Sequence, residues 1–240
     1  MRIDVVYLIS GVDQETLKQR KETLQRLASP GTEIRLAQTS HAPPSVESRA
    51  ELELAAPGIL EQVLRSEKEG ADAVVIWGGH DPSLSAAREL VSIPVLGPGM
   101  ASMHLASALA DRFSLLIQLS QVRDIARRQV RDLGLEDRCA SIRSVEVPVL
   151  ELIKKESFEA VRETAVAAIE EDGADAICFG CMALMSHTPR LSQTLAESHP
   201  GILVIDPGKA VLRLAELVVG MGISHSKRSY PSPLKKITFF

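Results

Sequence analysis

Aromatic side chains are scarce in this chain of 240 residues: one tryptophan, two tyrosines and five phenylalanines. So thin a supply argues against the stacking platforms that hold nucleobases and sugar rings. Excess basic charge is missing as well. The 27 Lys and Arg face 31 Asp and Glu, for a formal net charge of −4, and the cations are scattered, so no electrostatic footprint for nucleic acid is expected. No apolar run approaches the ~20 residues that span a bilayer, so no membrane partner is expected. The opening MRIDVVYLISG carries charges at Arg2 and Asp4 within a short apolar run, the pattern of a buried first strand rather than a signal peptide. Three cysteines are too few, and odd in number, for a disulfide framework, which points to a reducing cytoplasm. Phosphate-cradling glycine loops and nucleophile elbows are missing too, Gly97-Pro98-Gly99 reading as a turn. His41, His104, His187, His199 and His225 fall at no metal-ligand spacing. No metal and no cofactor is expected.

What is present is ordinary globular material, 45% hydrophobic and 24% charged, with enough length for one large domain or two small ones. Apolar strand-like runs alternate with longer stretches of helical spacing, the signature of βαβ units and a parallel sheet. Strands are expected at 3–9, 33–37, after Gly70, at 93–96, 113–119, 142–147, after Gly173 and at 202–205. Helices are expected at 13–27, near 46–56, from Pro57 to Gly70, and at 84–90, 100–109, 122–133, 158–171, 184–197 and 209–219. The tail at 224–240, with Lys/Arg, Pro and two terminal phenylalanines, reads as an arm against a neighbouring subunit of a homo-oligomer.

One segment occurs twice. Residues 70–78 read GADAVVIWG, and GADAICFGC follows 103 residues later at 173–181. Each copy is entered from an acidic stretch and ends at a small or polar cluster: Gly78-Gly79-His80-Asp81 in the first, Gly180-Cys181 in the second. The likeness continues past the strand tips, IPVLGP at 93–98 resembling ILVIDP at 202–207. The chain therefore reads as a duplicated α/β protein, two facing Rossmann-like subdomains with parallel sheets related by a pseudo-twofold. The first is expected from 1–97 plus 208–240, the second from 98–207. Ligands of parallel α/β sheets bind beyond the carboxyl ends of the strands. The active site is thus expected in the cleft between the halves, with Gly78 and Cys181 on opposite walls.

Cys181 leaves a strand and enters what reads as a helix start at Met182. Backbone N–H groups and the positive helix end favour a thiolate there. A cysteine so placed can act as a nucleophile or as a proton donor and acceptor at carbon. Cys178 and Cys139 read as structural. His80 is a candidate acid/base or binding group, whereas Asp81-Pro82 reads as a helix N-cap followed by proline in the first turn.

Several stretches carry a resemblance to a known family: Pro44-Ser45-Val46-Glu47-Ser48, His80-Asp81-Pro82-Ser83-Leu84, Ala86-Ala87-Arg88-Glu89, Pro94-Val95-Leu96-Gly97, Met103-His104-Leu105-Ala106, Arg138-Cys139-Ala140-Ser141, Pro148-Val149-Leu150, Gly180-Cys181-Met182-Ala183 and Ser226-Lys227-Arg228. Together these resemble the aspartate/glutamate/hydantoin racemase superfamily, and within it the hydantoin and allantoin racemase branch. The resemblance implies a cofactor-independent enzyme acting on a small carboxylate or hydantoin-like substrate. Two cysteines, one on each face of a carbon acid, exchange its proton. Cys181 falls on the second of these cysteines and Gly78 on the first.

The resemblance also marks departures. Tyr7-Leu8-Ile9-Ser10 stands where Asn-Pro-Asn-Thr is usual, and Ile117-Gln118 where a Thr pair is usual. Cys181 and His80 are thus the expected catalytic residues, with Gly78, Gly79, Tyr7, Ser10, Gln118 and Met182 expected to contact substrate. A retained thiol opposite a glycine also resembles the arylmalonate decarboxylase type, in which one cysteine protonates an enediolate after carbon dioxide leaves. A binding protein that kept the cleft without catalysis is the third alternative.

Overall fold

The computed structural model describes residues 1–39, 42–152, 157–235 and 237. His41 and the two terminal phenylalanines of the expected arm lie outside the described residues. The chain divides into two compact units. One comprises Met1–Val46, Ala50–Pro98 and the chain from Val211 onward; the other comprises Glu47–Arg49 and Gly99–Ala210.

The first unit holds β1 (Arg2–Tyr7), β2 (Glu33–Gln38), β3 (Ala73–Trp77) and β4 (Val95–Leu96), in the order β2-β1-β3-β4 with every pair parallel. Its helices include α1 (Gln14–Leu27), α2 (Arg49–Lys68) and α3 (Leu84–Leu90). The second holds β5 (Phe113–Ile117), β6 (Cys139–Ser144), β7 (Ala176–Phe179) and β8 (Leu203–Val204) in the equivalent order β6-β5-β7-β8, again parallel. With them come α4 (Pro98–Leu109), α5 (Arg123–Asp132), α6 (Val149–Leu152), α7 (Phe158–Glu170) and α8 (Thr188–Ser198); α9 (Pro207–Gly220) ends the helical part of the chain. Central strands β3, β5 and β7 are buried at every residue, which is why they read as unbroken apolar runs rather than alternating ones.

The repeat seen in the sequence performs the same task in both units. Gly70 and Gly173 take φ of +82° and +70°, the left-handed region that ends the incoming helix. The aspartate two residues on then ties the turn to the neighbouring strand. Asp72 Oδ2 accepts from Arg2 N at 2.7 Å, and Asp175 Oδ2 accepts from Arg112 N at 3.1 Å. Their own amides answer, Asp72 N donating to Arg2 O at 2.9 Å and Asp175 N to Arg112 O at 2.8 Å. An arginine on the adjoining strand completes each copy. Arg35 on β2 pairs with Glu69, and Arg143 on β6 pairs with Glu171 and Asp172. Arg65 and Arg35 hold the Glu69 carboxyl down at about 2.

Three expectations are corrected. Pro57 does not divide two helices; it lies inside the single helix α2. Ala55, Gly58, Ile59, Val63 and Ser66 form one buried stripe running past it, while Pro57 is exposed, as is Glu53 four residues earlier, whose carbonyl lacks the donor. Packing of the stripe outweighs the missing bond. Strand β6 begins and ends three residues earlier than expected, because Glu146 takes φ of 54° and breaks the extended run. The expected helix at 184–197 is instead a 3-10 turn, Met182–His187, followed by α8, which restarts with a proline in its first turn.

Restoring the donor at Pro57 tests this account of α2. Pro57→Ala should stabilise the protein by about 2 kcal/mol, the intrinsic cost of an interior proline less the unfolded-chain entropy it removes. Urea unfolding monitored by circular dichroism should show a raised midpoint. A lowered midpoint would mean that the proline serves the packing of α2.

Candidate functional site

In the first unit the tip of β3 is a sequence of tight turns. Gly78 N donates to Ile76 O at 2.9 Å and Asp81 N to Gly78 O at 2.9 Å, so the chain reverses within four residues of the strand. Asp81 and Ser83 then adopt φ of 50° and 58°, which costs roughly 1–3 kcal/mol each in a residue other than glycine. Asp81 is not the N-cap expected of it. Ser83 precedes α3, without a side-chain capping bond, and the Asp81 carboxylate lies over Gly97, where any Cβ would overlap it.

Gly78 is glycine for a related reason. A Cβ there would collide with Leu8 Cδ2 and come within 2.9 Å of the rigid ring of Pro82. The position is filled by its neighbours. Around it stand Gly79, buried, and His80, half-buried. Tyr7 ends β1 in register with Trp77, ring centroids 6.0 Å apart and Arg20 5.2 Å from the Tyr7 ring. Burial lifts the Tyr7 phenol to about 12, against the pull of Arg20, so it is neutral at ordinary pH. Ser10 is tied into the following loop, its hydroxyl donating to Ala42 O and its amide to Pro43 O. The unit thus brings Tyr7, Gly78, Gly79 and His80 to the carboxyl end of its sheet, with Ser10 just beyond.

In the second unit Cys181 follows β7 and caps the 3-10 turn, with φ −134° and ψ 129°. Burial dominates and pushes the thiol up to about 11, against the smaller downward pull of the nearby Ala183 and Leu184 amides. The expected thiolate is therefore corrected: the resting sulfur is a neutral thiol. Nor is it solvent-facing, since Cys181 is 8% exposed and belongs to the buried apolar cluster that also holds Leu116, Val145, Phe179 and Leu184. Gly180 before it admits no Cβ without crowding Ile117 Cγ2 at 2.9 Å, which fixes the approach of β7 to β5 at the tip. Gln118, 2% exposed, follows β5 and its carbonyl accepts from Val147 N at 3.1 Å; Met182 is half-buried on the turn.

Two residues here carried no local signal. Glu47 belongs to this unit, its Oε1 accepting from Val149 N at 2.7 Å and its carbonyl from Gln121 Nε2 at 2.9 Å. Its charge also pushes the Cys181 thiol upward. His187 closes the turn that Cys181 opens; its Nε2 lies 2.8 Å from Leu152 O and 2.9 Å from Ser157 Oγ, anchoring the turn to the end of α6. Cys178 is wholly buried, with its thiol pushed up strongly, and Cys139 opens β6 with its thiol raised to about 11 by burial. Among the described residues no group of three or more His, Cys, Asp or Glu is arranged to hold a metal ion.

The raised thiols make a pH prediction. Because the folded values lie above the ordinary one, the protonated thiols contribute stability that is fully present below the unfolded value and lost as pH climbs through about 11. Alkylation of Cys181 by iodoacetamide, followed by peptide mass spectrometry, should be slow at pH 7 and rise about tenfold per pH unit toward pH 10, since only the thiolate reacts. A plateau reached below pH 8 would show a sulfur already ionised at rest.

Residues 14–215 match the family model of the Asp/Glu/hydantoin racemases. The hydantoin racemase of Pseudomonas sp. (strain NS671) is 35% identical over 210 residues, which are 85% of this chain and 82% of that protein. The structure of an allantoin racemase from Klebsiella pneumoniae superposes with a TM-score of 0.89 at 33% identity, covering 98% of this chain and 94% of that one. Arylmalonate decarboxylase shares the fold, with a TM-score of 0.61 at 17% identity over 92% of this chain and 94% of that one. On the match to the family model and the likeness to both racemases, the chain belongs to the Asp/Glu/hydantoin racemase family of enzymes.

Proposed function

We propose that this enzyme moves a proton on and off a carbon activated by a carboxylate or a ring carbonyl, without a cofactor, and that Cys181 is the acid/base. The observation that supports this most is the setting of Cys181. A thiol stands just past a parallel-strand tip, at the start of a 3-10 turn, in a chain similar to hydantoin and allantoin racemases over most of its length. The substrate class is a hydantoin or a comparable small carboxylate. In the forward direction the resting thiol first gives its proton to water, and the thiolate so formed takes the carbon-bound proton, leaving the electron pair delocalised into the adjoining carbonyl. In reverse the S–H returns the proton to the planar carbon. The nearby Ala183 and Leu184 amides favour the charged sulfur and offset part of the burial penalty on abstraction. His80 is proposed as a second acid/base, and Tyr7, Ser10, Gly78, Gly79, Gln118 and Met182 as substrate contacts. Three free cysteines suit a reducing cytoplasm, and a homo-oligomer is the assembly we favour.

One observation favours a second reading, a carbon–carbon lyase. Position 78 has no room for a side chain, so a thiol there could not be accommodated without displacing Leu8 and Pro82. A single sulfur delivers a proton to one face only. In a lyase a malonate-type carboxylate leaves as carbon dioxide, its bonding pair forms the enediolate, and the Cys181 S–H protonates that carbon before water restores the thiol.

Proton NMR in heavy water separates the two, with 5-substituted hydantoins, allantoin, amino acids and arylmalonates as substrates. The racemase reading predicts deuterium at the stereocentre of both enantiomers of one substrate class, and loss of inversion in His80→Ala. The lyase reading predicts loss of carbon dioxide, deuterium in a single configuration and no further exchange. Exchange with none of them would overturn both.

A further inference from the structure

The loop that carries Gly78, Gly79 and His80 leads into α3, and α3 is ill equipped to hold it. Seven residues are too few for a helix to persist on its own. Its N-terminal end starts from two left-handed residues and lacks a side-chain cap. Leu84 and Ala87 bury one face of it, Glu67 Oε1 accepts from Ser92 N at 2.6 Å just past it, and a further hold lies at the same C-terminal end. There the segment Ser224–Tyr230, which follows α9 and lies in the same unit, crosses the last turn of the helix.

Lys227 is the centre of this strap. Its ammonium donates to Arg88 O at 2.8 Å, Glu89 O at 3.2 Å and Val91 O at 2.7 Å, using all three of its N–H groups. The first two are carbonyls that α3 cannot satisfy internally, because the helix ends at Leu90, and a cation suits the negative end of the helix. Three further side chains of the strap, Ser224, His225 and Tyr230, help to hold it. Ser224 Oγ donates to Ser92 O at 2.7 Å and His225 Nε2 donates to Val91 O at 3.0 Å. Arg88, anchored through Nε to Val95 O at 3.0 Å, donates from Nη1 to the Tyr230 hydroxyl at 3.0 Å and stacks 5.2 Å from that ring. His225 meets the same ring edge-on, centroids 5.9 Å apart. The strap folds back on itself through Ser229 N and Tyr230 N, both donating to Ser226 O. Four side chains more than 130 residues along the chain thus converge on one short helix end.

We infer that Lys227 is a positioning residue: by capping the C-terminal end of α3 it fixes the helix, and through it the 78–83 turn at the carboxyl end of the first sheet. The inference rests on the proposed role of that turn in the site, while the strap itself is geometry. Lys227 touches no residue proposed to meet substrate and acts only through α3.

Hydrogen–deuterium exchange of the full-length protein tests the linkage without any substrate. Lys227→Met keeps the length of the side chain and removes the three donors. Amides of 78–84 should exchange about 2- to 5-fold faster, the factor expected for losing a cation at a helix end, while amides of 180–187 should not change. Lys227→Arg, which keeps the charge but spreads its donors in a plane, should recover part of the protection. Tyr230→Phe removes only the hydroxyl that accepts from Arg88, and it should loosen the same amides by a smaller factor if Lys227→Met proves too unstable to study. With a substrate in hand, kcat of Lys227→Met should fall by the same factor as the protection, at unchanged KM. Unaltered exchange at 78–84, or a uniform rise across the whole protein, would overturn the inference. A wild type inactive on every carbon acid would overturn the proposed function and leave the exchange data to decide this inference alone.

Discussion

Asp72 and Asp175 each accept a hydrogen bond from the amide that opens or precedes the neighbouring strand, β1 or β5, and that bond holds the register of the pair whose tips carry Gly78 and Cys181. Side chains alternate along a strand, so a slip of one residue would move each of them to the opposite face. With Asp72 tied to Arg2, Val75 pairs with Val5 and Trp77 with Tyr7, and the chain leaves the sheet at Gly78. With Asp175 tied to Arg112, Cys178 pairs with Leu115 and Phe179 with Leu116, and the chain leaves at Gly180-Cys181. A hydrogen bond to a charged group contributes about 1.5–3 kcal/mol when sheltered and less at these exposed turns. Its importance is positional more than energetic.

From equal beginnings the two tips diverge through packing. At Gly78 the neighbouring Leu8 and Pro82 fill the volume a side chain would need, and the strained Asp81 closes over Gly97. At Cys181 the crowding falls one residue earlier, on Gly180, and the thiol is admitted into a buried apolar cluster at the start of the 3-10 turn. Burial and amide donation oppose each other there. Burial wins, and the result is a protonated sulfur that can hand its proton to the more basic carbanion.

The parts of this arrangement that were legible in the sequence are those with a local period or a local stop. The duplicated Gly-Ala-Asp-Ala segment announced two equivalent strands, and the spacing of Leu84, Ala87 and Leu90 gave α3 its observed bounds. Asp13 marked the start of α1, where its carboxylate caps Thr16 N at 2.9 Å. What could not be read depends on contacts between distant residues. Pro57 looked like a helix boundary because the stripe that carries α2 past it is decided by packing. Cys181 looked ionised because its turn is local, while the buried cluster it joins, which includes Leu116 and Val145, is not. Glu47 sat in a loop motif with nothing nearby to link it to the thiol. Lys227 belonged to a basic tail, and only the folded chain brings it to the carbonyls of Arg88, Glu89 and Val91.

The central claim is that one sulfur, and no other, handles the proton at carbon. Deuterium uptake into the responsive substrate should be compared for Cys181→Ala, Cys178→Ala and Cys139→Ala, each confirmed as folded by circular dichroism. General acid–base catalysis contributes about 10²–10⁴-fold, so Cys181→Ala should lose at least that much while the other two keep most of the wild-type rate. Full activity in Cys181→Ala, or its loss in Cys178→Ala with Cys181 intact, would contradict the account.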